Sequence, residues 1–344
     1  MIKHNIRCLA CQKGRKGEAM CTSIAMKTKD FYFGRTMDLT EGFQECVVFT
    51  PRNYAFQFRK EGMLHRHYAM LGMASVIEGI PLYAEAVNEK GLCMAGLNFP
   101  DSAYYPTEEK EGSANISPFE LVYWVLGKCA SVEEAKELLA ATHLIGIPFS
   151  EEVPLTPLHW HIADRETSIV LESSKSGLEV FENSVGVLTN NPSFPFQMTN
   201  ICQYQNLTPG PPENCFKRIS TLQSFGQGLG SFGLPGDFSP ASRFVKASYL
   251  SMNSVCEEDE QSSISQFFHM LDSVAMVRGS VITPEECYEI TRYSCCINAD
   301  KGIYYYKTYS NSQLTGINMN RENMNGCQCR RFPLRNSQQV AWMN

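Results

Sequence analysis

Segments with the two-residue period of β-strands alternate along this chain, in blocks, with segments that have the periodicity of α-helices. Apolar alternation in residues 22–26 and 30–36 predicts an N-terminal strand hairpin, and strands return after the first helices and again in the last third of the chain. This order differs from the regular strand–helix alternation of a parallel sheet. It predicts an α+β fold, in which sheet layers are covered by helical layers.

Two S-x-x-E sequences, which can cap the N-terminus of a helix, mark the first helical block. The sequences at residues 117–120 and 131–134 each precede apolar residues at helical spacing, which predicts two consecutive helices over about residues 118–143. Four short strands with polar turns are then expected to form a meander. They cover residues 159–164, 167–172, 177–182 and 186–189.

The second half of the chain repeats the alternation after a loop rich in Gly and Pro at residues 209–240. Apolar residues at intervals of three and four predict an amphipathic helix over residues 264–275, which Gly279 ends. Another helix is predicted to begin at residues 283–286, with Pro284 at its first helical position. Three antiparallel strands are expected at residues 294–298, 302–309 and 313–318.

The composition is that of an ordinary soluble globular protein. The 344 residues include 30 Lys and Arg against 36 Asp and Glu, which gives a net charge of −6, and 43% of them are apolar. Because this mildly acidic chain has no basic stripe, nucleic acid and membrane surfaces are not expected partners. No internal repeat, linker or low-complexity tract is visible, which favours a single domain over residues 21–344.

The first twenty residues have charged or polar groups every two or three positions and no apolar core, unlike a secretory signal peptide. No later stretch approaches 18 consecutive apolar residues, the length typical of a transmembrane helix. A cytoplasmic location is therefore expected. The 14 cysteines should accordingly be mostly reduced thiols.

Neither a metal site nor an organic cofactor is predicted. Cys8 and Cys11 form a single C-x-x-C pair, whereas a tetrahedral zinc site would need a second pair at a suitable spacing. His159 and His161 would share one face of a strand, but without a nearby acidic or third histidine partner they are interpreted as a packed or hydrogen-bonded pair. The G-x-G-x-x-G match at residues 228–233 is followed by Leu-Pro-Gly-Asp, where dinucleotide binding requires a helix.

The dipeptide of Met20 and Cys21 suggests a catalytic group. A cysteine after a methionine becomes N-terminal once that methionine is removed, and it then has a thiol and an α-amine in one residue. The amine, with a pKa of about 8, can accept the thiol proton and later donate it to a leaving amine. If the hairpin brings them close, Arg35 would favour the thiolate and Asp38 would hold the amine. On these residues alone, an ordinary dipeptide beside a solvated strand face is the stronger interpretation.

Five sequence blocks, in order, change that weighing. They are MCT at residues 20–22, FGRTMD at 33–38, NEKGL at 88–92 leading to AGLNFP at 95–100, GVLTN at 186–190 and GLPGDFSPASRF at 233–244. In these blocks the chain resembles the choloylglycine hydrolases, the bile salt hydrolases of gut bacteria, which share the N-terminal nucleophile hydrolase fold with penicillin V acylases. The resemblance runs from about Met20 to at least Asn320.

The resemblance implies a four-layer αββα sandwich, with two antiparallel sheets between helical layers, and a homotetramer with no metal and no organic cofactor. It also implies roles for individual residues. Cys21 would be the nucleophile and, through its free amine, the base. Arg35 and Asp38 would set the charge state and orientation of Cys21, and Arg243 would support the site electrostatically.

The implied reaction is hydrolysis of the amide that joins a bile acid carboxyl to glycine or taurine. The side-chain amide of Asn190 and the backbone N–H of Asn98 would form the oxyanion hole, a role that needs fixed neutral donors. Five apolar positions align with the family's steroid-lining residues, a weaker inference because apolar residues are most often core. These positions are Met37, Ile77, Ala84, Phe149 and Val153.

Two alternatives remain open. A penicillin V acylase or another N-acyl amide hydrolase would use the same Cys21, but penicillin-selective relatives commonly have tyrosine at the position of Asn98, so Asn favours bile salts. The chain could instead be a binding protein of this fold whose catalysis is blocked by the residues before Met20. The preference between glycine and taurine, the preferred steroid hydroxylation and the physiological role do not follow from the sequence.

Residues 1–20 depart from the family pattern, because most relatives of this type begin at the Met-Cys equivalent. Translation starts at Met20, or the segment is removed, or it is retained. Retention is incompatible with the mechanism, because an acylated Cys21 nitrogen has no basic lone pair. We expect Met20 to be the true start, since ordinary methionine removal would then expose Cys21.

Overall fold

Two large antiparallel sheets stack face to face in the computed structural model, which describes residues 20–344 apart from Lys217 and Ser220. Of the predicted extension, residues 1–20, only Met20 is among the described residues, and Cys8 and Cys11 also lie outside them. Eleven cysteines of the described part are free thiols. No described helix is both long enough and apolar enough to cross a membrane.

In the described part of the chain, strands outnumber helices. The strands are β1 (Met20–Lys27), β2 (Phe31–Leu39), β3 (Cys46–Thr50), β4 (Phe56–Gln57), β5 (Met63–Leu64), β6 (Met70–Ile77), β7 (Ile80–Asn88), β8 (Cys93–Asn98), β9 (Ala114–Ile116), β10 (Thr142–Leu144), β11 (Leu158–Ala163), β12 (Ser168–Ser174), β13 (Gly177–Glu182), β14 (Val187–Leu188), β15 (Val281–Ile282), β16 (Tyr288–Asn298), β17 (Ile303–Thr308), β18 (Asn311–Asn318) and β19 (Arg330–Pro333). The α-helices are α1 (Leu121–Lys128), α2 (Val132–Ala140), α3 (Phe194–Ile201), α4 (Pro240–Met252) and α5 (Glu260–Asp272).

The strand order places β1 and β2 inside the first sheet, which runs β14-β1-β2-β16-β17-β18, with β15 paired to β16. The second sheet runs β13-β12-β11-β8-β7-β6-β3-β19. Helix α1 packs on β7 and β8 of the second sheet, while α4 packs on β1 and α5 packs on β2 and β16 of the first. The α+β class and the four-layer αββα sandwich are thus confirmed.

Apolar side chains fill the spaces between these layers. One buried cluster joins both sheets with α4 and α5, and it includes Phe33, Leu97 and Phe267. A second cluster joins the second sheet with α1, and it includes Trp124 and Trp160. Each such side chain contributes about 1.5–3 kcal/mol of transfer free energy when it leaves water. The space between the two sheets is therefore largely apolar, and a polar group within it is shielded from water.

Gly34 lets β2 approach both β16 and α5. A Cβ atom at this position would lie 2.0 Å from the carbonyl oxygen of Cys295 and 2.9 Å from the ring of Phe267. Any side chain would therefore push these elements apart. Because Arg35 follows directly, this close packing also fixes the backbone next to a predicted catalytic residue.

Several local predictions are confirmed. The N-terminal hairpin is β1 and β2, and the two consecutive helices are α1 and α2, after a short 3-10 turn. Both predicted caps form, because Ser117 and Glu120 make a capping box and the side chain of Ser131 accepts from the N–H of Glu134. The three C-terminal strands are present as the end of β16, β17 and β18. The G-x-G-x-x-G segment contains only a short 3-10 turn at Leu229–Ser231.

The prediction of a helix at residues 283–286 is wrong. This segment is the turn between β15 and β16, closed by the N–H of Thr283, which donates to the carbonyl of Cys287 at 2.9 Å. Glu286 has a left-handed φ of 59°. Proline suits the first position of a helix and also the second position of a turn, so Pro284 could not distinguish them.

The predicted four-strand meander is wrong in its last strand. Strand β14 does not extend the second sheet. It pairs with β1 of the first sheet, and next to this pair the N–H of Ala25 donates to the carbonyl of Gly186 at 2.7 Å. The amphipathic helix begins and ends three to four residues earlier than predicted. Helix α5 spans Glu260–Asp272, with Asp259 as its N-cap. Helix α4 was missed, although Ser239 as N-cap and Pro240 at the first position are an ordinary helix start.

Candidate functional site

Six buried side chains that the sequence analysis assigned to catalysis come from five parts of the chain. Strands β1 and β2, the end of β8, the segment after β14 and helix α4 each supply at least one of them. Their exposed fractions are 1% for Cys21, 0% for Arg35, 0% for Asp38, 8% for Asn98, 3% for Asn190 and 1% for Arg243. Contacts within this set join residues as far apart as 222 positions.

Three side chains of β1 and β2, those of Cys21, Arg35 and Met37, lie on the face of the first sheet that packs against the second sheet. Cys21 pairs with Met37, and Arg35, two residues away, shares that face. The Sγ atom of Cys21 lies 4.0 Å from Sδ of Met37, and Nη2 of Arg35 lies 3.7 Å from the same sulfur. Nη1 of Arg35 reaches across and donates to the carbonyl of Gly96 at 2.5 Å. The thiol thus lies between the sheets, close to a buried guanidinium.

Asp38 lies on the opposite face of β2 and is held by two hydroxyl groups. Thr36 donates to Oδ2 at 3.0 Å, and Thr291 on β16 donates to Oδ1 at 2.5 Å. Burial raises the pKa of the Asp38 carboxyl, while Arg243 and the two hydroxyls pull the pKa down. The sequence analysis missed both threonines. Thr36 was detectable, since it precedes Asp38 by two residues on the same strand face, but Thr291 is 253 positions away.

Asn190 connects Cys21 to Arg243. Its Oδ1 accepts the backbone N–H of Cys21 at 2.8 Å and Nη2 of Arg243 at 2.9 Å. Since both neighbours are donors, this atom must be the amide oxygen. The amide nitrogen consequently faces Asn98, to whose carbonyl it donates at 2.7 Å. The two residues predicted to bind an oxyanion are therefore in contact.

Arg243 also holds the backbone of β1. Its Nη1 donates to the carbonyl of Cys21 at 2.6 Å and to the hydroxyl of Thr22 at 2.7 Å, and its Nε donates to the carbonyl of Phe238 at 2.9 Å. The pattern fixes the peptide of Cys21 on both sides, because Asn190 binds the nitrogen. In this structure Asn190, rather than Asp38, accepts from the Cys21 nitrogen. The assignment of Asp38 to the amine remains a prediction.

The electrostatics of the site favour a neutral thiol at rest. Burial raises the pKa of Cys21, Arg35 lowers it and the carboxylate of Asp38 raises it, while the backbone N–H of Asp38 and the charge of Arg243 lower it further. The net direction is upward. Although burial opposes it, Cys21 and Glu85 raise the pKa of Arg35, so the guanidinium stays charged. A protonated thiol needs a base before it can act as a nucleophile.

Five apolar residues were assigned to substrate binding, and two of them adjoin Arg35. Met37 does so through its sulfur, and Ala84 through its carbonyl, which lies 3.4 Å from Nη1. Ile77 is the last residue of β6, where it pairs with Ile80 at the end of the β6–β7 hairpin.

The other two, Phe149 and Val153, lie in the segment between β10 and β11. The ring of Phe149 is buried edge-on against Phe119, with the centroids 5.3 Å apart, and the guanidinium of Arg59 lies 5.4 Å from its centroid. Val153 is half-buried. The contacts of Met37 and Ala84 with Arg35 connect them to the buried site. The assignment of all five to substrate binding stays a prediction.

The two histidines of β11 are hydrogen-bonded core residues, as interpreted from the sequence. His161 lies 2.8 Å from the hydroxyls of both Ser23 and Ser168. His159 contacts Glu172, on the neighbouring strand β12, at 3.2 Å. The prediction that His159 has no nearby acidic partner is therefore wrong. Residues 20–344, as far as the structure describes them, contain no group of three or more His, Cys, Asp or Glu side chains placed to hold a metal ion.

His161 should make the fold sensitive to acid. Burial and the neighbouring His159 lower the pKa of His161 to about 3, against about 6.5 in an unfolded chain. Between these values the unfolded state binds a proton that the folded state does not, so stability falls as pH falls through this window. Between about pH 7 and about pH 5, the unfolding free energy of the native protein should fall by about 2 kcal/mol more than that of the His161→Gln variant.

Urea unfolding at the two pH values measures this difference. The control is His65→Gln, since His65 is exposed and should leave the pH dependence of the native protein unchanged. An identical loss of stability in the native protein and in His161→Gln would show that His161 does not carry the effect.

Comparisons with known proteins show the family of the chain. The model of the linear amide C–N hydrolases, choloylglycine hydrolase family, matches residues 21–332. The chain belongs to this family. It is accordingly an amidohydrolase, as predicted from the five sequence blocks.

Individual relatives cover nearly the whole chain. The chain is 44% identical to a bile salt hydrolase/transferase of Lactiplantibacillus plantarum, over 94% of its own length and all of the relative. A bile salt hydrolase/transferase of Clostridium perfringens is 41% identical over 94% of this chain and all of the relative. The crystal structure of a variant of the conjugated bile acid hydrolase of Clostridium perfringens superimposes with a TM-score of 0.87, again over 94% of this chain and all of that chain.

The penicillin V acylase of Agrobacterium tumefaciens has the same fold. Its structure superimposes with a TM-score of 0.70 over 91% of each chain, at 17% sequence identity. At this identity the similarity is one of architecture. The N-terminal nucleophile hydrolase fold that the family resemblance implied is confirmed by this structure together with that of the conjugated bile acid hydrolase.

Proposed function

We propose that this protein hydrolyses the amide bond of glycine- and taurine-conjugated bile acids, with Cys21 as an N-terminal nucleophile. The names of the relatives at 41% and 44% identity support the substrate class. The observation that carries the mechanism is the position of Asn190, whose Oδ1 joins the backbone nitrogen of Cys21 to Arg243. The nitrogen held in this way belongs to the same residue as the thiol that it would deprotonate.

The proposed reaction uses the two ends of Cys21 in turn. The free α-amine takes the thiol proton, and the sulfur then forms a bond to the amide carbonyl carbon while the carbonyl electrons move to oxygen. When the tetrahedral intermediate collapses, the C–N bond breaks and the ammonium gives its proton to the departing glycine or taurine nitrogen. Water then attacks the thioester, which releases the bile acid and restores the thiol.

Burial of the thiol explains why a base in the same residue is useful. Because burial raises the pKa of Cys21, little thiolate is present at neutral pH without proton transfer. An α-amine with a pKa of about 8 is close enough to neutrality to accept and return the proton. Arg35 would stabilise the thiolate as it forms, and Arg243 would keep the Cys21 peptide in place.

Asn190 is proposed to stabilise the oxyanion through its side-chain amide, together with the backbone N–H of Asn98. Asn190→Ala should lower kcat by about 10² to 10³, with a smaller effect on KM, as expected for the loss of one oxyanion donor. Steady-state kinetics on a conjugated bile salt measure both values.

The matched control is the neighbouring Asn191→Ala. Asn191 donates to the carbonyl of Pro100 and to the hydroxyl of Ser102, both at 2.7 Å, and these contacts do not involve Cys21. An unchanged kcat with a raised KM in Asn190→Ala would make Asn190 a ground-state binder. An equal loss of kcat in Asn191→Ala would mean that the wrong asparagine has been assigned.

The substrate is proposed to be a bile salt rather than penicillin V, because position 98 is Asn where penicillin-selective relatives commonly have Tyr. Residues 21–344 are proposed to act as one hydrolase domain in the cytoplasm. A homotetramer without metal or organic cofactor is proposed because the family resemblance implies it. Sedimentation of the purified protein tests the assembly.

One assay tests the proposed function directly. Protein whose N-terminal residue is shown by mass to be Cys21 is incubated with glycine- and taurine-conjugated bile acids and, separately, with penicillin V, and release of glycine, taurine and phenoxyacetate is measured. Faster release from bile acids supports the proposal. Release of phenoxyacetate alone would indicate a penicillin V acylase, and bile salt binding without hydrolysis would indicate a blocked binding protein.

A further inference from the structure

A fully buried carboxylate that the proposed reaction does not use lies next to Arg35. Glu85 is on β7 of the second sheet, and its oxygens face four donors, all from strands of the first sheet. The hydroxyls of Tyr304 and Tyr293 donate to it at 2.6 and 2.9 Å, Sγ of Cys295 lies at 3.6 Å, and Nη1 of Arg35 lies at 3.7 Å. Burial raises the pKa of the Glu85 carboxyl, while Arg35 and the three hydrogen-bond donors lower it. Because every neighbour is a donor, the ionised carboxylate, which only accepts, fits this environment.

The position of the Arg35 guanidinium does not depend on Glu85 alone. Nη1 donates to the carbonyls of Gly96 and Ala84, and Nε donates to the carbonyl of Thr36 at 3.2 Å. Carbonyl groups fix the geometry of a guanidinium but do not cancel its charge. Glu85 supplies the compensating negative charge. This matters because a buried cation without a counter-ion is energetically costly.

The charge of Arg35 therefore acts on two groups, the thiol of Cys21 and the carboxylate of Glu85. Other ionisable groups face these residues from the surrounding strands and from α4. They are Asp38, Arg243, Tyr293, Cys295 and Tyr304, with Glu289 beside Arg243. Tyr293, Cys295 and Tyr304 are neutral donors, because burial raises the pKa of each well above its ordinary value.

We propose that Glu85 is a positioning residue that acts on Cys21 through Arg35: its carboxylate offsets the guanidinium charge that would otherwise favour the thiolate in the resting enzyme. The thiol proton then stays available to the α-amine and, later, to the leaving nitrogen. A thiolate made permanent by Arg35 would have given up that proton and would be a weaker nucleophile, since nucleophilicity falls as thiol pKa falls. This inference rests on the proposed role of Cys21 as nucleophile.

The pH dependence of Cys21 alkylation tests the proposal. Iodoacetamide reacts with the thiolate, and the modified N-terminal peptide is quantified by mass spectrometry, because exposed thiols such as Cys202 also react. Glu85→Gln keeps the size of the side chain and still accepts a tyrosine hydroxyl, but it removes the negative charge. We expect its alkylation midpoint to move to lower pH by roughly one unit, and the acid limb of kcat/KM to move in the same direction.

Two tyrosines on one face of β17 provide a second, matched pair of variants. Tyr304→Phe removes the donor at 2.6 Å from Glu85, so the carboxylate is less stabilised and the midpoint should move to lower pH by a smaller amount. The hydroxyl of Tyr306 instead accepts the backbone N–H of Arg335 at 3.0 Å. Tyr306→Phe should therefore leave the midpoint unchanged.

An unchanged or higher midpoint in folded Glu85→Gln would overturn the proposal. If Glu85→Gln does not fold, equal midpoints in Tyr304→Phe and Tyr306→Phe would overturn it instead. A purely structural role of Glu85 would reduce stability without moving the midpoint. Failure of the proposed function is seen separately, as hydrolysis that persists after Cys21 of the native protein has been fully alkylated.

Discussion

Cys21→Ala should abolish amide hydrolysis, with kcat lowered on the order of 10⁴ or more, because no other group can form the covalent intermediate. The fold should be retained. The Sγ atom of Cys21 lies 4.0 Å from Sδ of Met37, and the backbone bonds to Asn190 and Arg243 do not depend on the side chain. Hydrolysis of a conjugated bile salt and a thermal unfolding curve measure the two outcomes.

Cys21→Ser tests the chemistry of the nucleophile rather than its presence. A hydroxyl is far less acidic than a thiol, and in a site that already raises the pKa of Cys21 the α-amine would rarely deprotonate it. We expect severe impairment with binding of the bile salt nearly intact. Measurement of bile salt binding by calorimetry separates this outcome from a collapsed site.

A second buried thiol of the first sheet provides the control. Cys296 on β16 is 0% exposed and free, so Cys296→Ala creates a similar loss of side-chain volume outside the group of six catalytic candidates. It should reduce stability but keep hydrolysis. Activity above a few per cent in Cys21→Ala, or an equal loss in Cys296→Ala, would remove Cys21 from its assigned role.

The sequence predicted those parts of the fold whose signals are local. Strands β1 and β2 form a hairpin of neighbouring strands, and the two residues of each cap, Ser117 with Glu120 and Ser131 with Glu134, lie within one four-residue stretch. Strand β8 escaped prediction, because a strand covered on both faces loses the alternation that marks a half-buried strand. In β8, all six residues are buried.

Pairing between strands overrode local helix and strand signals elsewhere. Pro284 and the two glutamates after it are a reasonable helix start, but β15 and β16 pair on either side and make the segment a turn. The last strand of the expected meander, β14, lies in the other sheet for a similar reason, because it pairs there with β1. The pairing of β14 with β1 joins residues about 160 positions apart, so it cannot be identified from residues close in sequence.

The candidate site divides in the same way. Cys21, Arg35 and Asp38 fall within 18 residues of each other, so a hairpin was enough to suggest their association. Thr291 and Glu85 reach them only because β2 lies between β1 and β16 and the second sheet stacks on that face. The sequence has no local signal for such contacts.

Removal of everything before Cys21 should be required for activity. When Met20 precedes Cys21, the N–H of Met20 donates to Glu289 at 2.7 Å, and Met20 pairs with Asp38 of β2. The nitrogen of Cys21 is then an amide, which can donate to Asn190 but has no basic lone pair to take the thiol proton. Loss of one acid–base group typically costs about 10² to 10⁴ in rate. We therefore expect a form that retains residues 1–20 to be inactive.

The sharpest comparison uses one preparation before and after cleavage. A specific protease site placed directly before Cys21 allows the same folded protein to be assayed with its nitrogen acylated and then free, while intact mass follows the cleaved fraction. Bile salt hydrolysis should rise in proportion to that fraction, and a version translated from Met20 should be active once its methionine has been removed. Cleavage of a Cys21→Ala version should produce no activity, which controls for effects of the protease itself. Full hydrolysis by protein whose mass still includes residues 1–20 would disprove the role of the amine as base, because no proton acceptor would then exist within Cys21.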